Sequence, residues 1–117
     1  DFLFKFLNSV RNYSSEIYIN YDSDVGKFQI KDSDLFYVSF MENVEFLNCK
    51  LKGIFFNSDF YLCNIKSSVL ISSNLVRDNI IENCKLVECK ILGSSNVFKR
   101  GIVLDTVGDS SITHQQN

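Results

Sequence analysis

The chain of 117 residues has no proline and only 5 glycines, which excludes the Pro-rich or Gly-rich linkers that separate domains. The glycines are scattered at 26, 53, 93, 101 and 108, so no glycine-rich phosphate loop is present. There is one histidine, His114. Ser/His/Asp and Cys/His nucleophile sets therefore have little to be built from. Four cysteines are too sparse for a disulfide scaffold. They are expected to be free thiols in a reducing compartment, either the cytoplasm or a particle assembled inside a cell. Neither sign of charge dominates, with 12 basic and 14 acidic residues and a net charge of -2. That balance speaks against a strongly basic binder of nucleic acid or lipid headgroups, and against a strongly acidic nucleic-acid mimic. No stretch approaches the roughly 18 consecutive apolar residues of a membrane span. The opening DFLFKFL is too short, and too soon followed by Asn8, Ser9 and Arg11, for a secretion signal. The chain starts at Asp1 rather than at a methionine, and we read it as a processed product, a fragment or a domain of something longer.

What is present is a globular composition, 45% hydrophobic and 22% charged, at a length that supports one domain. It is arranged as a repeat. From Ser23 onward the chain divides into units of about five residues, a period found by comparing it with itself. Each unit opens on a small or modest residue and carries an apolar residue at its third place. The third places are Val25, Ile30, Leu35, Phe40, Phe46, Leu51, Phe56, Phe60, Ile65, Leu70, Leu75, Ile80, Leu86, Ile91, Val97, Ile102, Val107 and Ile112. A helix needs a period of 3.6 and a flat strand a period of 2, so five fits neither. It fits a short extended segment followed by a corner, with places one and three on the inner side. Four such sides make a square coil of about 20 residues, and coils stack at roughly 4.8 Å.

The units SDL at 33, SDF at 58, CNI at 63, SNL at 73 and DNI at 78 resemble the pentapeptide repeat family. The resemblance covers Ser23 to about His114 and implies a right-handed quadrilateral β-helix. Units of six at 38, 78 and 89, and of four at 54, depart from the pattern as bulged or tightened corners. The expected fold is therefore an all-β solenoid of four to five coils, with a cap or linker at 1–22, the β-helix at 23–114 and a tail at 115–117. Segments 40–53 and 80–93 resemble one another, which fits two square coils.

Stacking every fourth unit predicts four inner ladders. They are Val25–Phe46–Ile65–Leu86–Val107, Ile30–Leu51–Leu70–Ile91–Ile112, Leu35–Phe56–Leu75–Val97 and Phe40–Phe60–Ile80–Ile102. In the cap, Phe2, Leu3, Phe6, Leu7 and Val10 share a helical face, while Phe2, Phe4 and Phe6 also alternate as in a strand. A short helix over the first coil is the reading adopted. Glu16 to Tyr21 reads as a strand with Ile17 and Ile19 on one side. The repeats end without a recognisable cap, so a partner, a second copy or further sequence is expected to cover that edge.

Candidate sites follow from this register. Cys49, Cys63, Cys84 and Cys89 take the inward first place and are read as packing groups, with Cys63 and Cys84 stacked on one side. Asp78 and Arg100 also fall at first places in one column, and an inward charge needs a partner, so a structural Asp78–Arg100 salt bridge is predicted. Outward apolar residues gather on adjoining sides, with Met41, Tyr61, Ile81 and Val103 on one and Phe36, Val76 and Phe98 on the other. This stripe is expected to dock residues 1–22, a protein partner or a second copy. His114 reads as a solvated tail residue, and Asn12-Tyr13-Ser14 is a weak glycosylation acceptor.

No catalytic, cofactor or metal constellation emerges. The expectation is a non-enzymatic structural or protein-interaction module within a larger protein or assembly, such as a virion or scaffold, without membrane, nucleic-acid or small-molecule partners. The resemblance implies an alternative, a DNA-mimicking protein that binds a type II topoisomerase. Lys27, Lys31, Lys50, Lys52, Lys66, Lys85, Lys90 and Lys99 interrupt the anionic surface that role needs.

Overall fold

The computed structural model describes residues 12–13 and 16–108. Among them there is no helix. The strands are β1 (Asn12–Tyr13), β2 (Tyr18–Asp22), β3 (Lys27–Lys31), β4 (Asp34–Glu42), β5 (Val44–Leu47), β6 (Lys50–Phe56), β7 (Asp59–Tyr61), β8 (Asn64–Lys66), β9 (Val69–Ile71), β10 (Asn74–Arg77), β11 (Ile80–Val87), β12 (Lys90–Ile91) and β13 (Val97–Leu104). They stack as a β-solenoid of about five turns, the all-β class that the five-residue period implies.

The coil has three sides, not the expected four. Leu51 pairs with Ile65, 14 residues on, and Ile81 with Phe98, 17 residues on, so three units complete each coil. Side one stacks 34–36, 50–52, 64–66, 80–82 and 97–99. Side two stacks the end of β4 with 54–56, 69–71, 85–87 and 102–104. Side three stacks 27–31, 44–47, 59–61, 74–77 and 90–91. The physical reason is the corner. Asp32, Asn43, Asn48, Asn57, Asp78, Asn83 and Asp105 adopt positive φ between 48° and 58°, the left-handed region that Asn and Asp tolerate best. Three such sharp turns close the coil. Corner N–H groups also reach the neighbouring coil, as Asn48 N does to Tyr61 O at 2.9 Å and Asn57 N to Ile71 O at 2.9 Å. The likeness of 40–53 to 80–93 therefore does not reflect stacking, since Met41 lies on side two and Ile81 on side one.

The inner ladders are Leu35–Leu51–Ile65–Ile81–Phe98 on side one, Met41–Phe55–Leu70–Leu86–Val103 on side two, and Ile30–Phe46–Phe60–Leu75–Ile91 on side three. All of these are buried except Val103, which is half-buried and packs on the core. Burial of a side chain of this size contributes about 1.5–3 kcal/mol, so these columns dominate stability. Phe46, Phe55 and Phe60 form an aromatic cluster at their heart, with ring centroids 5.2 to 5.7 Å apart. Several residues expected inside are instead exposed: Val25, Phe40, Ile80, Val97, Ile102 and Val107. Phe56 is half-buried with Phe55 inside in its place. Ile112 lies outside the described residues.

First places are occupied by small polar groups that stitch the coils. Ser58 Oγ donates to Phe56 O at 3.1 Å and accepts Val44 N–H at 3.3 Å, and Ser58 N donates to Ser73 Oγ at 3.1 Å. Cysteine does the same work with sulfur, Cys89 Sγ lying 3.2 Å from Leu70 O in the preceding coil. Asn79 and Asn96 form a buried pair, Asn79 Nδ2 donating to Asn96 Oδ1 at 2.8 Å and to Phe60 O at 2.9 Å. These bonds satisfy backbone groups that would otherwise be orphaned near the axis.

β2 and β3 form an antiparallel hairpin whose turn spans 23–26, closed by Gly26 N to Asp22 O at 2.8 Å. Ser23 to Lys27 is thus a turn and the start of a strand, not a first repeat, which is why Val25 is exposed. The hairpin covers the edge of the first coil on side three, and β1 pairs antiparallel with β4 on side one. Ile17 and Ile19 pack against the core, as their alternation predicts. The helix expected over Phe2 to Val10 lies outside the described residues.

Candidate docking surface

The outward faces of the three sides differ in chemistry. Side two carries two outward ladders, Ile54–Val69–Lys85–Ile102 and Glu42–Phe56–Ile71–Val87–Leu104. Phe40 lies beside them, its ring stacked on Phe56 with centroids 6.4 Å apart. Phe40 and Ile102 are 45% and 53% exposed, and Ile54 and Leu104 are also open to solvent. Phe56, Val69, Ile71 and Val87 are half-buried by their neighbours. The result is an apolar sheet face running the full stack of coils, with charge only at Glu42 and Lys85.

This face is not the stripe expected from the sequence. Met41, Ile81 and Phe98 belong to the core. Val103 is half-buried against it. Phe36 lies on side one, and Tyr61 and Val76 on side three, all half-buried. The structure does not bring the seven together. The Asp78–Arg100 salt bridge is also absent. Asp78 is a corner residue between sides three and one that pairs with Arg77 at 3.3 Å. Arg100 is a corner residue between sides one and two that pairs with Glu82 at 3.2 Å. Both point to solvent, because each occupies the last place of a unit and Asn79 and Gly101 take the inward first places. The residues that do form the face, Phe40, Phe56 and Ile102 among them, were assigned to the core by the period of five. The trace of them in the sequence is a set of apolar doublets, Phe40-Met41, Phe55-Phe56 and Ile102-Val103, in which either member satisfies the pattern.

Side three carries a carboxylate cluster. Asp59 pairs with Lys27 at 3.0 Å and accepts from Asn74 Nδ2 at 2.7 Å. Glu45, one coil away, accepts from Gln29 Nε2 at 3.4 Å and is nearly fully buried. Burial pushes its carboxyl above the ordinary glutamate range, and the neighbouring carboxyls of Asp22 and Asp59 add to the rise. Burial and the same carboxylates raise the Tyr61 hydroxyl. Side one is the basic side, where a cavity of about 240 Å³ is lined by Phe36, Lys50, Lys52, Asn64 and Lys66. A longer groove of about 430 Å³ follows the corner between sides three and one, past Asp32, Asn48, Cys49, Leu62, Cys63 and Asp78.

All four cysteines are buried and unpaired. Cys63 stacks between Cys49 and Asn79 on side one, whereas Cys84 lies on side two beside Gly101, so the expected Cys63–Cys84 neighbourhood does not form. Burial pushes the Cys84 thiol up to about 11 and raises Cys63 and Cys89 as well, which suits packing groups rather than nucleophiles, whereas its hydrogen bond with Cys63 lowers Cys49. Among the described residues no group of three or more His, Cys, Asp or Glu could hold a metal ion. No helix among them is long and apolar enough to cross a membrane. No family model matches the chain, and no curated protein matches it.

Proposed function

We propose that the chain is a non-enzymatic structural and protein-interaction module that presents side two to a protein, as one element of a larger protein or assembly such as a virion or scaffold. One observation carries this reading. Eight apolar side chains line one flat face along the whole stack of coils, with two charges among them. A contiguous apolar face of this kind marks a surface that is covered in use. The uniform solenoid supports a scaffold role, since its long-range strand pairing makes a stiff platform. The five-residue unit, with a small first place and an apolar third, supports the resemblance to pentapeptide repeat proteins. The three-unit coil departs from the four-sided coil that the resemblance implies. The buried free thiols support a reducing compartment. The DNA-mimic alternative gains nothing from the surface, where Lys27 and Asn74 engage Asp59 and side one is basic.

The test is a photo-crosslinking amino acid at position 54 or 71 on side two, or at 66 on side one, in the cells that make the protein. Protein adducts from 54 and 71 and none from 66 support the reading. Adducts from 66 alone, or from none of the three, overturn it.

A further inference from the structure

We propose that the occupant of side two is a second copy of this chain, packed face to face about a two-fold axis. The proposal rests on reading side two as the docking surface, and it adds the partner. The charges argue for it. Glu42 sits on the first coil in the Phe56–Ile71–Val87 ladder, and Lys85 on the fourth coil in the Ile54–Val69–Ile102 ladder. They lie at opposite edges and towards opposite ends of the face. Among the described residues neither has an ion pair. A two-fold axis lying in the face can set each Glu42 against the other copy's Lys85, forming two attractive pairs at once. The same contact is isologous, so the same patch serves both copies and the assembly closes as a dimer. The axis then passes between the second and third coils, through the rungs of Ile54, Phe56, Val69 and Ile71, which leaves the interface centre free of charge. The partner also matches in shape, because two sheets with the same rung spacing interdigitate at about 10 Å.

The size of the face sets the strength. Four overlapping rungs of about 4.8 Å by four residues of about 3.3 Å give roughly 250 Å² in projection. That is well short of the roughly 800 Å² per partner of a standard stable interface. The dimer is therefore reversible and its population depends on concentration.

Sedimentation equilibrium of the whole chain over a concentration series tests this. The expected mass rises from 13.5 kDa towards twice that value. Ile71→Lys, on the outward face, is expected to stay at the monomer mass throughout. Glu42→Lys and Lys85→Glu alone each turn two attractive pairs into repulsive ones and are expected to weaken association about tenfold. The double exchange Glu42→Lys/Lys85→Glu is expected to restore it, and it keeps the test valid should Ile71→Lys unfold. A dimer untouched by all of these variants overturns side two as its seat. A wild-type monomer at every concentration overturns the second copy as occupant. An apolar dye that binds this monomer, and binds Ile71→Lys less, then leaves the docking reading standing with another partner. A monomer that binds no dye overturns that reading too.

Discussion

Phe40 and Phe60 are identical in type and both fill the third place of a repeat unit, yet the structure separates them. Phe60 is fully buried, stacked on Phe46 with centroids 5.3 Å apart and edge-on to Phe55 at 5.7 Å. Phe40 is 45% exposed and among the described residues touches one ring, that of Phe56. Phe60→Ala removes a whole buried ring in the middle of the stack, where coils on both sides limit collapse into the cavity. The expected loss is about 3–5 kcal/mol, including the aromatic pairs it breaks. Phe40→Ala removes a half-exposed ring, and the expected loss is about 1 kcal/mol or less. Against a total stability of about 5–15 kcal/mol, the first change is a large fraction and the second is not. Urea denaturation followed by far-UV circular dichroism, with midpoint and slope fitted for both variants, reads the difference. Equal losses would refute the three-sided register, because a four-sided coil buries both rings in one ladder.

Gly101→Ala is expected to destabilise by several kcal/mol in the same assay, since the added Cβ would lie 2.1 Å from Cys84 O and 2.9 Å from the Phe98 ring. Glu45→Gln tests the buried carboxylate on side three. With its folded value raised by burial and by Asp22 and Asp59, the native state holds the proton more tightly than the unfolded chain does. Wild-type stability is therefore expected to fall as pH climbs from the ordinary glutamate value through the raised one, and to stay low above it. The variant should show a flatter profile and a higher melting temperature at neutral pH; an unchanged profile contradicts the assignment. The four thiols should resist a thiol reagent at pH 8 in the native state and react at once in denaturant, given their burial. Fast native labelling would show that first places open to solvent.

The class of fold was legible because the five-residue period leaves only an extended segment and a corner in each unit, and the inward Ser and Cys at first places followed from it. The number of sides was not legible. Period alone counts residues per unit, and the closing angle depends on corner φ, which Leu62 and Arg100 adopt as readily here as Asn48 does. Register failed where a unit has four or six residues. One slip at Asp78 moves the inner place from Ile80 to Ile81, and similar slips move it from Val97 to Phe98 and from Ile102 to Val103. In a strand each single step exchanges inside for outside. The expected stripe and the expected salt bridge were both read across these slips, and both dissolved with them. An apolar outward face is present on other residues, since the member of each doublet that is not inside must be outside.

The most direct test of the three-sided coil is a pair of cysteine double variants on outward positions, treated with a short thiol-bridging reagent. Lys66 and Glu82 are strand partners on side one, whereas a four-sided coil would put Lys66 beside Val87. The native thiols are buried and do not compete. Lys66→Cys/Glu82→Cys is predicted to bridge rapidly within one chain and Lys66→Cys/Val87→Cys is not; bridging of the second pair and not the first would contradict the architecture.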